Sequence, residues 1–228
     1  MKQGNRAAAL VVMAGLATLV ASTAALAQGA GTLMLRAGAT QIRPNVDSGD
    51  LSAPAFVGTR VDIRPDTQLS GGLTYMLTDH VSLDLPLALP FKHEIVGDGA
   101  IAGVGKIGEV RALPFTLLGQ YRFLAPTAAF RPYVGAGLTY AKFYKDRSTA
   151  VLSGLTGGTP ANPTLLSVES KFAPTLQVGA SYALNTRWFI DLSLTRTFLK
   201  TRTTLSTGQT LDATLNPDSI GLGLGYVF

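Results

Sequence analysis

The sequence predicts an all-β fold, an eight-stranded antiparallel transmembrane β-barrel of the bacterial outer membrane, and three observations support this prediction. Apolar side chains alternate with small or polar ones over many segments, which is the period of a strand with two different faces. Short and long connections alternate between those segments, as they do in outer-membrane barrels. Of the 228 residues, 46% are hydrophobic and only 14% are charged, and this charged fraction is low for a chain surrounded by water.

The composition excludes several other classes of protein. The chain has no cysteine, so it holds neither a disulfide nor a metal site with cysteine ligands. Its hydrophobic share is too high for intrinsic disorder. The net charge is +5, but lysine and arginine are scattered along the chain, which argues against nucleic acid as a partner. After residue 27 no apolar run reaches the roughly 18 residues that a transmembrane helix needs.

Residues 1–27 have the pattern of a cleavable signal peptide. Lys2 and Arg6 form a short basic start, residues 7–25 carry no charge, and Ala25 and Ala27 are small residues at the two positions that a signal peptidase reads before Gln28. A retained membrane anchor is the alternative, but alanine and threonine dominate the apolar run. Residues 28–228 are then expected to form the barrel, with four long extracellular loops.

Eight segments of the mature chain are predicted to be strands, in the order 32–43, 68–77, 81–89, 107–123, 133–140, 175–184, 188–195 and 219–228. The alternation is clearest in the seventh, where Trp188, Ile190 and Leu192 alternate with Asp191 and Ser193. In the last segment, apolar and aromatic residues alternate with glycine. Glycine and small polar groups on the second face suit a crowded barrel interior and would pack poorly as the dry core of a soluble sandwich.

The connections predict which rim faces which side of the membrane. The short ones are 78–79, 124–129 and 185–186, and the long ones lie near 44–67, 91–106, 145–167 and 202–212. Outer-membrane barrels have short periplasmic turns and long extracellular loops, so both chain ends are expected on the periplasmic side. A lipid-spanning strand needs about 9 to 11 residues; the fourth segment is longer, so the barrel is expected to project beyond the membrane.

Four segments resemble a known family. They are LPFKHEI at 89–95, Leu113-Pro114 followed by QYRF at 120–123, RPYVGAGLTY at 131–140, and the ending IGLGLGYVF at 220–228. These blocks resemble the OmpW (outer-membrane protein W) family, which includes AlkL-type channels for hydrophobic compounds. The resemblance covers essentially the whole mature chain. It implies a barrel with a narrow, largely hydrophobic lumen that admits small hydrophobic compounds and releases them sideways through the wall.

The predicted function is passive passage of small hydrophobic molecules through a narrow channel. Eight strands enclose an interior just wide enough for side chains or one small ligand, so a sugar porin is excluded. The candidate contact residues are Phe56, Phe91, His93, Ile95, Leu118 and Tyr133. Further apolar loop residues, Val57, Ile101, Val104, Leu152 and Leu155, either line a funnel or pack the loops together. The alternative function is a structural or surface-interaction barrel without transport.

Six charged residues are assigned by their alternation to the barrel interior, namely Arg36, Asp84, Arg122, Glu169, Lys171 and Asp191. Unpaired charge inside the barrel would be costly, so these groups are expected to pair across the lumen. Such pairs would plug the periplasmic half and favour sideways exit of a solute. The role of His93 stays open between gating a ligand and structural hydrogen bonding.

No catalytic, metal or cofactor site is predicted. His80, Ser82 and Asp84 share one strand face, as in a barrel lipid A deacylase, but His80 adjoins a periplasmic turn whereas a deacylase must reach the outer leaflet. The chain is therefore expected not to be an enzyme. Its expected partners are outer-membrane lipid and lipopolysaccharide, small hydrophobic solutes, and the barrel-assembly machinery, which would recognise the terminal Phe228.

Overall fold

The fold was obtained as a computed structural model that describes residues 28–55 and 57–228. The predicted signal peptide, residues 1–27, and the candidate contact residue Phe56 lie outside the described residues. In the part of the chain that is described, no helix is long and apolar enough to cross a bilayer.

The described residues form fourteen strands and one short helix. In chain order they are β1 (Leu33–Arg43), β2 (Asp47–Ser48), β3 (Thr59–Ile63), β4 (Asp66–Met76), β5 (Val81–Ala88), β6 (Phe91–Gly99), β7 (Lys106–Arg122), β8 (Phe130–Ser148), α1 (Ala150–Thr156), β9 (Leu166–Val168), β10 (Lys171–Ala183), β11 (Trp188–Thr197), β12 (Lys200–Leu205), β13 (Thr210–Thr214) and β14 (Asp218–Val227).

Eight strand positions form a closed antiparallel ring, which confirms the predicted fold class. The wall runs β1, β4, β5, β7, β8, β10, β11 and β14, and β14 pairs with β1 from Met34 opposite Val227 to Arg43 opposite Asp218. The third position is shared, because β5 pairs with the lower half of β7 and β6 with its upper half. Pairing β14 with β1 removes the two free edges that an open sheet would expose to the hydrocarbon core.

The two faces of the wall have opposite character, and the outside is the apolar one. On β7, Phe115 and Leu117 are 51% and 54% exposed, while Thr116, Leu118 and Gln120 between and beyond them are buried. The outward apolar face of this strand runs over residues 113–123, which is about 25 Å along the axis at the usual rise and tilt. This equals the height of the apolar band of an outer-membrane barrel.

The long-loop rim carries more ordered structure than the sequence predicts. The segments expected as loops contain β2, β3, β6, β9, β12, β13 and α1, and four of these strands form a second sheet in the order β2, β13, β12, β9. The Thr149 hydroxyl caps α1 by accepting from the Leu152 amide, and Gly157 ends the helix with a left-handed φ of 83°. Most of these loop elements were missed because they are too short to show a clear period, whereas β6 has nine residues but includes the turn-type residues Gly97, Asp98 and Gly99.

A buried apolar cluster holds these loop elements together above the ring. Its members are Ile95, Ile101, Ile107, Val110, Leu152, Leu166 and Leu205. The strands β7 and β8 rise to this level, with 17 and 19 residues respectively. The predicted projection of the barrel beyond the apolar band is therefore present, and β8 is much longer than the predicted 133–140.

Close backbone approach explains two wall glycines. A Cβ on Gly137 would lie 1.9 Å from the Leu117 carbonyl oxygen, and a Cβ on Gly38 would lie 2.0 Å from the Leu222 carbonyl oxygen. Backbone atoms of a paired strand cannot move aside cheaply. By contrast, a Cβ on Gly119 would find its nearest neighbour at 3.8 Å, which is ordinary contact.

We expect Gly137→Ala to destabilise the barrel by about 1–3 kcal/mol, the usual cost of overpacking. Gly119→Ala, in the neighbouring strand, is the matched control and should change stability little. The measurement is chemical unfolding of the protein refolded into lipid, monitored by tryptophan fluorescence of Trp188. Equal stability of the two variants would contradict the steric explanation.

Candidate functional site

A buried ion pair occupies the lumen near the short-turn rim. The Arg36 guanidinium donates to both carboxylate oxygens of Asp84, Nη1 to Oδ1 at 2.7 Å and Nη2 to Oδ2 at 2.8 Å. The Thr74 hydroxyl donates to Asp84 Oδ1 at 2.5 Å, and Arg36 Nε lies 3.8 Å from Asp191 Oδ1. These groups come from β1, β4, β5 and β11, so the interaction crosses the lumen.

Tyr133 and Arg122 complete this buried network. The Tyr133 hydroxyl donates to Asp191, at 3.0 Å from Oδ1 and 3.2 Å from Oδ2. The Arg122 guanidinium lies 4.6 Å above the Tyr133 ring centroid and donates to Gln120 Oε1 at 3.0 Å. We call Arg36, Asp84, Arg122, Tyr133 and Asp191 the polar plug. Because all five are buried or nearly so, the plug fills the cross-section at this level.

Arg131 and Gln28 extend the closure toward the short-turn rim. Arg131 Nη1 donates to the Gln28 carbonyl oxygen at 2.7 Å and Nη2 donates to the Asp79 carbonyl oxygen at 2.6 Å. Arg131 and Gln28 are both buried. The first described residue is thereby tied beneath the plug.

Two of the six predicted lumen charges lie elsewhere, which corrects the predicted network. Glu169 and Lys171 pair with each other at 3.1 Å, and both side chains are about half exposed, at 52% and 43%. Lys171 is the first residue of β10 and Glu169 precedes that strand. Glu169 lies outside the closed wall, and Lys171 lies at the end of the β8–β10 ladder, opposite Ala141, where solvent reaches its side chain.

Above the plug lies a cavity of about 150 Å³, here called the lower cavity. Its floor includes Arg36, Gln177 and Asp191, and its upper wall is apolar. That apolar wall comprises Ile63, Phe91, Val110, Phe143, Leu199 and Leu215. Polar groups thus lie near the plug, and the surface facing the long-loop rim offers mainly hydrocarbon.

Threonine hydroxyls of the lumen wall bond to one another. The oxygens of Thr116 and Thr139 are 2.8 Å apart, those of Thr139 and Thr175 are 2.6 Å apart, and those of Thr175 and Thr197 are 3.1 Å apart. The row runs across β7, β8, β10 and β11. Since these hydroxyls have partners within the wall, they need none from a molecule in the lower cavity.

A second cavity of about 70 Å³, the upper cavity, lies within the loop elements. It is lined almost entirely by aliphatic side chains, including Ile95, Ile101, Ile107, Leu152 and Leu155. Four apolar residues line both cavities, and we call them the constriction: Ile63, Val110, Phe143 and Leu215. The two cavities are therefore arranged in series along the barrel, separated by an apolar ring.

The structure places the sequence-predicted contact residues in several different positions. Phe91, His93 and Leu118 line the lower cavity, and Ile95 lines the upper one. Tyr133 belongs to the plug instead, because Asp191 binds its hydroxyl.

The predicted funnel residues also lie in different places, some at the upper cavity and one in solvent. The residues of the constriction were not predicted. Leu152, Leu155 and Ile101 line the upper cavity, whereas Val57 is 91% exposed. Extending the alternation of β8 past residue 140 would have found Phe143. Ile63 and Leu215 lie at or beyond strand ends within predicted loops, so no periodic signal marks them.

His93 is anchored by a hydrogen bond and a ring contact. Its Nδ1 donates to the Arg64 carbonyl oxygen across 2.9 Å, and its ring stacks on Phe91 with centroids 6.2 Å apart. Burial lowers the pKa of His93 below that of a free imidazole. Among residues 28–55 and 57–228, no cluster of three or more His, Cys, Asp or Glu is placed to hold a metal ion.

His80 and Ser82 do not form a hydrogen-bonded pair. His80 Nδ1 lies 2.9 Å from the Arg122 carbonyl oxygen and its ring stacks on Tyr121. The Ser82 hydroxyl is buried and donates to Gln120 Oε1 at 3.1 Å. A hydrolytic serine needs its hydroxyl within reach of the histidine base, and here each side chain is engaged by another partner.

The pairing between the third wall position and β7 is interrupted at mid-height. The register runs from Val81 opposite Tyr121 to Asp84 opposite Leu118, then resumes at Phe91 opposite Ala112. We call residues 85–90 and 113–117, which do not pair with each other, the ladder gap; each segment keeps its pairing with the strand on its other side. It contains three prolines, Pro86, Pro90 and Pro114, which have no amide hydrogen to donate to a neighbouring strand.

We expect Asp84→Ala to destabilise the barrel by about 3–5 kcal/mol, because it leaves the Arg36 guanidinium buried without its partner. Asp212→Ala is the control: Asp212 pairs with Arg202 at 2.7 Å in an exposed position, where ion pairs contribute little. The measurement is chemical unfolding in lipid. Equal, small effects of the two substitutions would mean that the plug is not needed for stability.

Comparison with known proteins identifies the family. The family model described as "OmpW family" matches residues 29–228. Outer membrane protein W of Vibrio cholerae is 33% identical over 220 residues, which cover 94% of this chain and 97% of that protein. Outer membrane protein AlkL of Ectopseudomonas oleovorans is 27% identical over 185 residues, which cover 79% of this chain and 75% of that protein.

A solved structure shows the same architecture. The crystal structure of the outer membrane protein OprG from Pseudomonas aeruginosa superposes with a TM-score of 0.77 at 26% identity, and the match covers 88% of this chain and 97% of that one. The matches span the barrel from its first strand to its last, as the sequence resemblance implied. The chain therefore belongs to the OmpW family of bacterial outer-membrane β-barrel proteins.

Proposed function

We propose that this protein is a passive channel that lets small hydrophobic molecules cross the outer membrane. The observation that supports the proposal is the series of two apolar cavities above a polar plug. The upper cavity lies within the loop elements, and the residues of the constriction line both it and the lower cavity. A hydrophobic solute would exchange water for hydrocarbon contacts at each step, which is the favourable direction of transfer.

The size of the cavities limits the class of solute. In other proteins an apolar cavity of about 150 Å³ accepts a benzene-sized molecule. Eight-stranded barrels have no room for the open aqueous channel of a 16- to 18-stranded porin. Small hydrocarbons and simple aromatic compounds fit these dimensions, and sugars would find too few polar partners along the upper path. The family resemblance implies the same class of solute.

We propose the ladder gap as the exit. The polar plug, together with Arg131, closes the path toward the short-turn rim. Pro86, Leu87 and Ala88 of the gap line the lower cavity, and Leu87 is 48% exposed on the lipid-facing side. A solute leaving here enters the apolar band directly. Separating the two segments breaks no ladder between them, since residues 85–90 pair with β4 and residues 113–117 with β8 but not with each other.

Val110→Trp should narrow the constriction and lower uptake about tenfold, a modest barrier increase of about 1.4 kcal/mol. The assay follows entry of a small aromatic probe into cells that express each variant at equal surface levels. Val110→Ala, which widens the ring, should retain at least wild-type uptake. Val57→Trp, at a position that is 91% exposed in a loop, controls for added bulk.

The same assay tests the alternative, a structural or surface-interaction barrel without transport. That function predicts equal probe entry in cells with and without the protein. Equal entry would remove the channel proposal, whereas a Val110→Trp deficit with a normal Val57→Trp control would support it. We also propose that the protein is not an enzyme; release of acyl chains from lipopolysaccharide by the purified protein would overturn this.

Restoring amide donors at the ladder gap tests the exit. We expect the double variant Pro86→Thr/Pro90→Thr to extend the pairing with β7 and slow probe uptake severalfold. Pro174→Thr is the control, because Pro174 pairs with Leu138 inside the continuous β8–β10 ladder. Uptake that is unchanged in the double variant, with its amides protected from hydrogen exchange, would exclude exit at this position.

A further inference from the structure

Three cationic residues lie side by side on the outer surface of one wall. Lys92 in β6 is directly opposite Arg111 in β7, and Lys142 in β8 is opposite Leu113, two residues along β7 from Arg111. Side chains that are one strand apart and two residues apart on the same face are neighbours in a sheet. The three therefore form one patch across β6, β7 and β8.

The neighbours of these residues show that the patch faces outward. Residues 91 and 93, 110 and 112, and 141 and 143, which flank the three cations, all line the lower cavity. Successive side chains of a strand point to opposite faces. Lys92, Arg111 and Lys142 consequently point away from the lumen, toward the lipid or its headgroups.

The patch lies at the upper limit of the apolar band. On β8 the outward aromatic residue Tyr144 lies at the level of the patch, directly opposite Arg111. Below the patch the outward apolar residues of β7 end at Leu113, and those of β8 end at Tyr140, which packs against Phe172 with ring centroids 4.7 Å apart. The next outward residues are Arg111 and Lys142, about 5 Å higher at the usual rise and tilt. This is the level at which the polar headgroups of the outer leaflet begin.

The cations of this patch are incompletely neutralised by the protein. Lys92 Nζ lies 3.3 Å from Glu109 Oε2, but Glu109 also binds Lys106 at 2.8 Å. No ion pair to Arg111 or Lys142 is present among the described residues. On the opposite wall the outward Arg196 lies 3.6 Å from Asp218.

We propose that Lys92, Arg111 and Lys142 bind the phosphate of a phosphorylated glycolipid of the outer leaflet, the lipid A portion of lipopolysaccharide. Two features favour this lipid: its phosphates are negatively charged, and they lie where its acyl chains begin, which is the height of the patch in the membrane. Arginine and lysine donate charge-assisted hydrogen bonds to phosphate oxygens. The aromatic pair of Tyr140 and Phe172 below the patch would contact the upper acyl chain.

The position of the patch ties this lipid to the ladder gap. The gap ends at the pair Phe91 and Ala112, and Lys92 opposite Arg111 is the next pair up. A glycolipid held by its phosphate there extends its acyl chains down along residues 85–90 and 113–117. It would then cover the gap from the lipid side. The binding itself does not depend on whether hydrophobic solutes pass.

The test measures lipid A binding in phosphatidylcholine nanodiscs by native mass spectrometry. The triple variant Lys92→Gln/Arg111→Gln/Lys142→Gln should bind bisphosphorylated lipid A at least about 10-fold more weakly than the wild type, given the effect of each basic residue near an anionic headgroup. The control triple, Arg43→Gln/Arg196→Gln/Lys200→Gln, removes as many charges from exposed sites elsewhere and should bind within twofold of the wild type.

Three further arms make the outcome decisive. Dephosphorylated lipid A should bind wild type and triple variant equally. The charge-conserving Lys92→Arg/Arg111→Lys/Lys142→Arg variant should restore binding, which separates charge from misfolding.

Equal losses in both glutamine triples, or no loss in either, would overturn the proposal. Displacement of lipid A by millimolar inorganic phosphate would also overturn it, because the site would then be a general anion site. No solute is present, so failure here is distinct from failure of the channel.

Discussion

The requirement that every backbone amide and carbonyl in hydrocarbon find a partner governs this molecule. Closing β14 onto β1 removes the two edges that an open sheet would expose to lipid. Once the ring is closed, most apolar residues of the membrane-level wall face outward toward lipid, so Leu117 and Leu222 are more than half exposed. The ladder gap is notable against this constraint, since its prolines remove donors that would otherwise need partners.

A ring of eight strands leaves so little interior that each polar group inside must be satisfied by another. Arg36 and Asp84 meet in a two-point contact, and the threonine hydroxyls bond along the wall. Concentrating the polar groups in the plug leaves the space above it apolar. The plug therefore stabilises the barrel, and in the proposed function it leaves an exit through the wall as the path for a solute.

The parts predicted from sequence are those governed by the two-residue period. The predicted segment 107–123 differs by one residue at each end from β7, Lys106–Arg122, and Leu118 within it faces the lower cavity. Phe91, His93 and Ile95 also line a cavity, but their prediction came from apolar character and the family resemblance, since 91–106 was expected to be a loop. The two-residue alternation no longer predicts which way a side chain points once the strand leaves the closed wall. Glu169 and Lys171 were assigned to the lumen by extending it too far, and Ile63 and Leu215 were missed because loop packing has no period.

The sequence by itself determined the alternation, the strand number, the alternate short and long connections and the family. These follow from local patterns, because a strand that separates lipid from a crowded lumen must alternate at every position. Only the tertiary structure decided which cations meet which anions, where the two cavities and the constriction lie, and that Lys92, Arg111 and Lys142 form one patch. Those relations depend on the register between strands far apart in the chain, and register is set by ring closure rather than by any single segment.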